Sequence, residues 1–184
     1  MTATMNQTGT RTYAIDQAHS QVGFSVKHMM FSTVRGEFTS FKGTVVVDYD
    51  NPANSTVDVT IEAASVTTRD EKRDGHLRSG DFFDAEKFPT LTFKSTLVDF
   101  KSPNDFTVVG DLTIRGVTRQ VKIESEQTGH GVNPWGMDVA GFEGKTKINR
   151  KDYGLNWNTP LESGGVLLGD EVKITLELEM VEQK

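Results

Sequence analysis

The chain has no cysteine, which excludes disulfide staples and thiolate metal sites. No stretch is apolar for long enough to form a transmembrane helix. The opening MTATMNQTGTRT lacks the apolar core of a secretory leader; a loose tail over residues 1–11 and a cytoplasmic location are the expectations. The four histidines, His19, His28, His76 and His130, stand in neither H-x-x-x-H nor H-E-x-x-H spacing. No G-x-S-x-G elbow and no P-loop is present. No metal, no cofactor and no catalytic residue is therefore expected. Basic residues are the minority, 20 against 26 acidic, for a net charge of -6. That balance argues against a general nucleic-acid binder. No fixed-period repeat is visible.

What the chain does have is alternation. Val22, Phe24, Val26 and His28 share one face of a stretch whose other face carries Gly23, Ser25 and Lys27. Val34 to Asp48 is another long β-stretch with Gly36 and Gly43 as bend points, and the period of two returns in Val57, Val59, Ile61 and Ala63. It returns in Leu91, Phe93, Ser95 and Leu97, in Phe106 to Ile114, and in Val117 to Ile123. Met137 to Ile148 is strand-like but kinked by Gly141 and Gly144. The last stretch is the cleanest, with Val172, Ile174, Leu176, Leu178 and Met180 set against Lys173, Thr175, Glu177 and Glu179. Such strands, joined by short turns, form an antiparallel sheet with one buried face. With about eight of them in 184 residues, closure removes the edges, so one all-β antiparallel barrel over residues 12–184 is the expectation. An open sandwich has the same periodicity. Glycines within strands suit a curved, closing sheet.

One segment, Thr67 to Ser95, breaks the alternation with dense charge. Thr68-x-x-Glu71 reads as a capping box and Gly80 as a stop, which predicts a helix over residues 69–79. A second helical turn is expected at Phe82 to Lys87, ended by Pro89. Arg69, Arg73, His76 and Leu77 then fall on one helix face. That face is either a solvated surface, ion-paired to Asp70, Asp74 and Asp81, or a site for an anionic head group. Phe82 and Phe83 are expected to pin the helix to the barrel. Asn149 to Gly154 reads as a tight turn held by an Arg150–Asp152 pair.

Aromatic residues are spread over many strands: Phe24, Phe31, Phe38, Phe41, Phe93, Phe106, Phe142, Trp135 and Trp157. They fill the interior or, if it is hollow, line an apolar tunnel. His28 on an apolar strand face reads as a core or pocket residue. Met29, Met30 and Phe31 break the alternation and suit a bulge, an adaptable mouth or a contact between two copies.

Four stretches together resemble the YceI-like family of lipocalin-like barrels: AHSQVGFSVKHMMFSTVRGEF, HLRSGDFFDAEKFPTLTFKS, VVGDLTIRGVTRQV and FEGKTKINRKDYGLNW. The resemblance runs from about Tyr13 onward. It implies a barrel that binds a long isoprenoid-type lipid, a polyisoprenoid or isoprenoid quinone, without catalysis, and frequently as a homodimer. Many members act in the periplasm behind a leader. On this reading the ligand-binding residues are Phe24, His28, Phe31, Phe38, Phe41, Arg69, Arg73, His76, Phe82, Phe83, Phe93, Trp135, Phe142 and Trp157. The partners are then the lipid and a second copy, with no nucleic acid and no membrane-spanning segment. Two alternatives stay open: a small hydrolase or isomerase using a pocket histidine, and a dimeric stress or scaffold module with a filled core.

Overall fold

The computed structural model describes residues 8–184. Eleven strands make one antiparallel sheet. They are β1 (Thr10–Ile15), β2 (Gln21–His28), β3 (Ser32–Phe38), β4 (Phe41–Asp48), β5 (Thr56–Glu62), β6 (Val66–Thr67), β7 (Thr90–Phe100), β8 (Asp105–Ile114), β9 (Val117–Val132), β10 (Asp138–Asn149) and β11 (Leu168–Glu182). Among the described residues a single α-helix, α1 (Glu71–Arg78), lies between β6 and β7. The first strand begins inside the segment expected to be a loose tail; residues 1–7 lie outside the described ones.

Eight strands close in the order β1-β4-β5-β7-β8-β9-β10-β11, and β1 pairs back to β11. The fold is thus a closed antiparallel eight-stranded barrel. The remaining strands extend its wall. A 3-10 turn at Gln17–His19 separates β1 from β2, and both pair with the one long strand β11. A bend at Thr39 and Ser40 separates β3 from β4, and a 3-10 turn at Ala63–Ser65 separates β5 from β6. At this end the wall runs β11-β2-β3-β6, while β7 pairs with β5 rather than β6. The wall therefore parts between β6 and β7, and the chain fills the parting with α1. The turns after β2, β8 and β10 lie at the same end as α1. The turns after β4, β7 and β9 lie at the opposite end.

Side-chain direction follows the pleat. On β11 the outward residues Lys173, Thr175 and Glu177 are exposed. Their neighbours Ile174, Leu176 and Leu178 face inward but are only half-buried. Inward residues that stay half-exposed line a hollow. This apolar-in, polar-out arrangement is the reverse of a membrane-spanning barrel. Among the described residues, no helix is long and apolar enough to cross a membrane.

One strand departs from its sequence pattern. A register shift between Ser95 and Leu97 turns Leu97 outward, 49% exposed, and sends Val98 inward, 4% exposed. A bulge does this because an extra residue resets the alternation. The Ser95 hydroxyl accepts a hydrogen bond from the Val57 amide at 2.8 Å, bracing the shift.

Candidate functional site

The barrel encloses a cavity of about 1110 Å³. That exceeds the usual range for small-molecule sites, roughly 300–1,000 Å³. Its wall combines aliphatic residues of all eight barrel strands, β1 contributing Ile15, with two groups of rings. Near α1, Phe24 meets Phe38 at 5.8 Å between ring centroids, and Phe38 meets Phe83 edge to face at 5.5 Å. At the other end, Phe100 stacks on Phe106 at 5.1 Å, and Phe106 meets Phe142 at 5.9 Å.

The α1 end is built by side chains that hold one another. Asp70, not Thr68, caps the helix, its carboxylate accepting from the Arg73 amide at 3.0 Å. The expected capping box fails because Arg69 has φ 62, a left-handed backbone that cannot be the first helical residue. Thr68 is instead captured by Asp74. That carboxylate accepts the Thr68 amide at 2.7 Å, the Thr68 hydroxyl at 2.5 Å and the Thr67 hydroxyl at 3.1 Å. Burial acts to raise the Asp74 pKa, but these hydrogen bonds outweigh it and hold the group below its ordinary value. Arg73 returns to Thr68, donating to its hydroxyl at 2.6 Å and its carbonyl at 3.0 Å. Arg78 donates to the Ala64 and Val66 carbonyls, tying the helix to the edge at β6. After the helix the chain forms turns rather than the second helical turn expected at Phe82 to Lys87, with Asp84 at φ 49.

Phe82 is buried against His76 and Trp157. The His76 ring lies edge to face on both, at 5.1 Å and 4.7 Å, and its Nε2 meets the Asp81 carboxylate at 2.8 Å. Trp157 is held in turn by Arg150. That guanidinium, 4% exposed, donates to the carbonyls of Leu155 at 2.6 Å, Trp157 at 2.8 Å and Gly169 at 2.9 Å. Arg150 was expected to pair with Asp152; it serves backbone carbonyls, and its nearest carboxylate is Asp170 at 3.7 Å. The sequence signal was weak, because these partners lie on a loop and on β11.

Of the residues expected to bind ligand, ten line the cavity: Phe24, His28, Phe38, Arg73, His76, Phe82, Phe83, Phe93, Phe142 and Trp157. Four do not. Trp135 sits at the β9–β10 tip, 80% exposed, because Asn133 builds a turn that points it outward. Phe31 is 73% exposed at the β2–β3 tip. Phe41 is buried where β3 bends into β4, packed in the core rather than on the hollow. The exposed Arg69 is carried off the wall by its left-handed backbone.

Sequence reasoning missed two polar wall residues. Tyr153, 2% exposed, has a hydroxyl with no hydrogen-bond partner among the described residues; burial pushes its pKa up to about 12. Arg150 Nη2 likewise has no hydrogen-bond partner there. Both lie at the α1 end of the cavity. Tyr49, at the opposite end, hydrogen-bonds Tyr13 at 2.8 Å, and burial raises its pKa. Two of the four histidines, His28 and His76, line the cavity, and the other two do not. His130 pairs with Asp138, which also holds Arg11, at the opposite end. His19 lies with Asp16 and Glu179 on the outer surface.

Residues 13–180 match the sequence model of the YceI-like domain. A UPF0312 protein of Staphylococcus aureus strain N315 is 40% identical over 168 residues, 91% of this chain and 95% of that protein. Among solved structures, BcnA of Burkholderia cenocepacia superposes with a TM-score of 0.77 at 27% identity, covering 90% of this chain and 98% of that one. A Campylobacter jejuni YCEI protein gives 0.74 at 32% identity, covering 92% and 96%. A polyisoprenoid-binding domain from Saccharophagus degradans gives 0.69 at 16% identity, covering 93% and 98%, and shares the fold.

Proposed function

The chain belongs to the YceI-like family, and from that membership we propose that it binds a long apolar isoprenoid-type lipid inside the barrel, to store or carry it rather than to transform it. The observation that carries this reading is the cavity: about 1110 Å³, walled almost wholly by aliphatic and aromatic side chains, inside a closed barrel. Each methylene moved from water into such a wall contributes about 0.8 kcal/mol. A prenyl chain thus binds tightly with few polar contacts. The Saccharophagus degradans domain, named for binding polyisoprenoids, has the same architecture.

The tail lies along the barrel and the polar head at the α1 end. Arg73 and His76 reach the wall there, and the Tyr153 hydroxyl and Arg150 Nη2, neither hydrogen-bonded among the described residues, supply donors for an acceptor oxygen. A cavity of this size also weighs against the filled-core scaffold. Native mass spectrometry after gentle purification tests the proposal. The expected result is a co-purified prenyl lipid, or uptake of an added one at one per chain. A protein that is consistently ligand-free and rejects added polyprenols and prenylquinones overturns it.

One observation favours a second reading, hydrolysis or isomerisation of a hydrophobic substrate. His76 lines the cavity and holds a carboxylate, Asp81, at 2.8 Å, the geometry of an oriented general base. The same ring, however, is clasped by Phe82 and Trp157, which assigns it to closing the barrel. Chemically unchanged prenyl ester after prolonged incubation removes this reading.

A further inference from the structure

The β2–β3 hairpin carries Met29, Met30 and Phe31 at its tip, 36%, 63% and 73% exposed. Nothing in the barrel's interior uses Met30 or Phe31. Both methionines adopt left-handed backbone, φ 51 and 69, a conformation that non-glycine residues rarely take. The tip is nevertheless fixed, since the Met29 amide donates to the Leu167 carbonyl at 2.8 Å. Val166, 38% exposed, extends the apolar surface beside it.

Behind this tip the outer wall is basic. Cross-strand register places Lys147 opposite Lys173, Lys173 opposite Ser25, and Ser25 opposite Arg35. Lys27 lies between that row and the tip. Like charges set directly opposite across a ladder repel, and only Lys147 is relieved, by Glu171 at 3.4 Å. Lys27, Arg35 and Lys173 form no ion pair among the described residues. Four residues further along the same wall the sign reverses: Glu126 stands opposite Glu143, and Glu143 opposite Glu177. A chain of net charge -6 thus carries a positive band on the side of its apolar tip and a negative band away from it.

We propose that this hairpin docks the barrel on an anionic lipid bilayer. Met30 and Phe31 enter the interface, where apolar side chains reach about 5–10 Å deep. At roughly 3.3 Å per residue, Lys27 and Arg35 then trail the tip by about 7–13 Å, at the depth of the lipid phosphates. The negative band faces away from the surface and sets the orientation. The opposite apolar tip, Val132 and Trp135, has the acidic row behind it and is repelled by the same membrane. Docking brings the α1 end of the cavity, with His28 beside the hairpin, against the bilayer. The inference rests on the outer surface and holds whether or not the cavity takes a lipid.

Vesicle flotation tests it, with phosphatidylcholine alone and with about one third phosphatidylglycerol, neither containing prenyl lipid. The intact protein is expected to float with the anionic vesicles only, and less so as salt rises. The pair M30S/F31D should reduce the bound fraction about tenfold. Each of K27Q, R35Q and K173Q should reduce affinity about fivefold. W135S should change nothing. Far-UV circular dichroism and melting curves confirm that each variant is folded. Failure of the wild type to float, or flotation indifferent to these substitutions, overturns the proposal. So does a tip variant that converts a dimer to a monomer in sedimentation while vesicle binding persists, since the tip would then meet a second copy of the chain.

Discussion

His76 and Trp157 meet edge to face, 4.7 Å between ring centroids and 85° between planes. One belongs to α1 and the other to the loop before β11, so this contact joins the two segments that cover one end of the barrel. An aromatic pair of this kind contributes about 0.5–1.5 kcal/mol beyond its burial. Trp157→Ala is expected to speed release of a bound fluorescent prenyl probe by about 2- to 12-fold. His76→Phe, which keeps a ring, should stay within twofold of wild type. Stopped-flow displacement measures both; equal release rates in Trp157→Ala and wild type would show that the clasp does not gate the cavity.

Asp74 anchors the turn before the helix. Asp74→Ala leaves Thr67 and Thr68 without their acceptor and should cost about 2–4 kcal/mol in urea unfolding. The pH dependence has a definite sign. A carboxyl whose folded pKa lies below its unfolded value contributes stability above about pH 4, and that contribution is lost as pH falls through the lowered value. Wild type and Asp74→Asn should therefore converge in stability on acidification. A gap that stays constant down to the acid transition contradicts this account.

Tyr153 offers the cavity a donor that has no hydrogen-bond partner among the described residues. Tyr153→Phe should weaken binding of a prenylquinone or polyprenol by about 2- to 12-fold, one neutral hydrogen bond. It should leave binding of a pure hydrocarbon such as squalene unchanged. Isothermal titration of both ligands separates lost recognition from damaged packing, which would weaken them equally.

At Gly110 a Cβ would meet the Lys94 carbonyl and lie 2.5 Å from the Phe93 ring. Gly110→Ala is therefore expected to destabilise the barrel by about 1–3 kcal/mol. Gly80→Ala, where nothing lies within 4 Å, should stay within about 0.5 kcal/mol. Paired denaturation curves check the contrast.

The alternation of β11 shows both faces of the barrel wall directly, because a period of two needs no partner to be read. The presence of a helix after Thr67 and its pinning by Phe82 are equally local. What escaped depends on residues distant in sequence or on a single dihedral. Thr68 looks like a cap until Asp74 turns back to take it. Arg150 looks paired to Asp152 until Leu155, Trp157 and Gly169 present their carbonyls. Leu97 looks inward until the bulge resets its strand. Phe41 and Trp135 read as wall residues because aromatic composition does not specify direction. Hollowness itself has no periodicity: filled and empty barrels alternate alike, and only the half-exposed inner side chains tell them apart.

Closure of the barrel has a consequence for how the chain is made. Only three residue pairs join β1 to β11: Tyr13 with Glu182, Ala14 with Val181, and Ile15 with Met180. That seam therefore forms only after residues 180–182 are synthesised, roughly 8–35 s after residues 13–15 at ordinary elongation rates. Through that interval the nascent barrel is an open, apolar trough. Its earliest chance to meet a lipid, or a chaperone, comes before it has an inside.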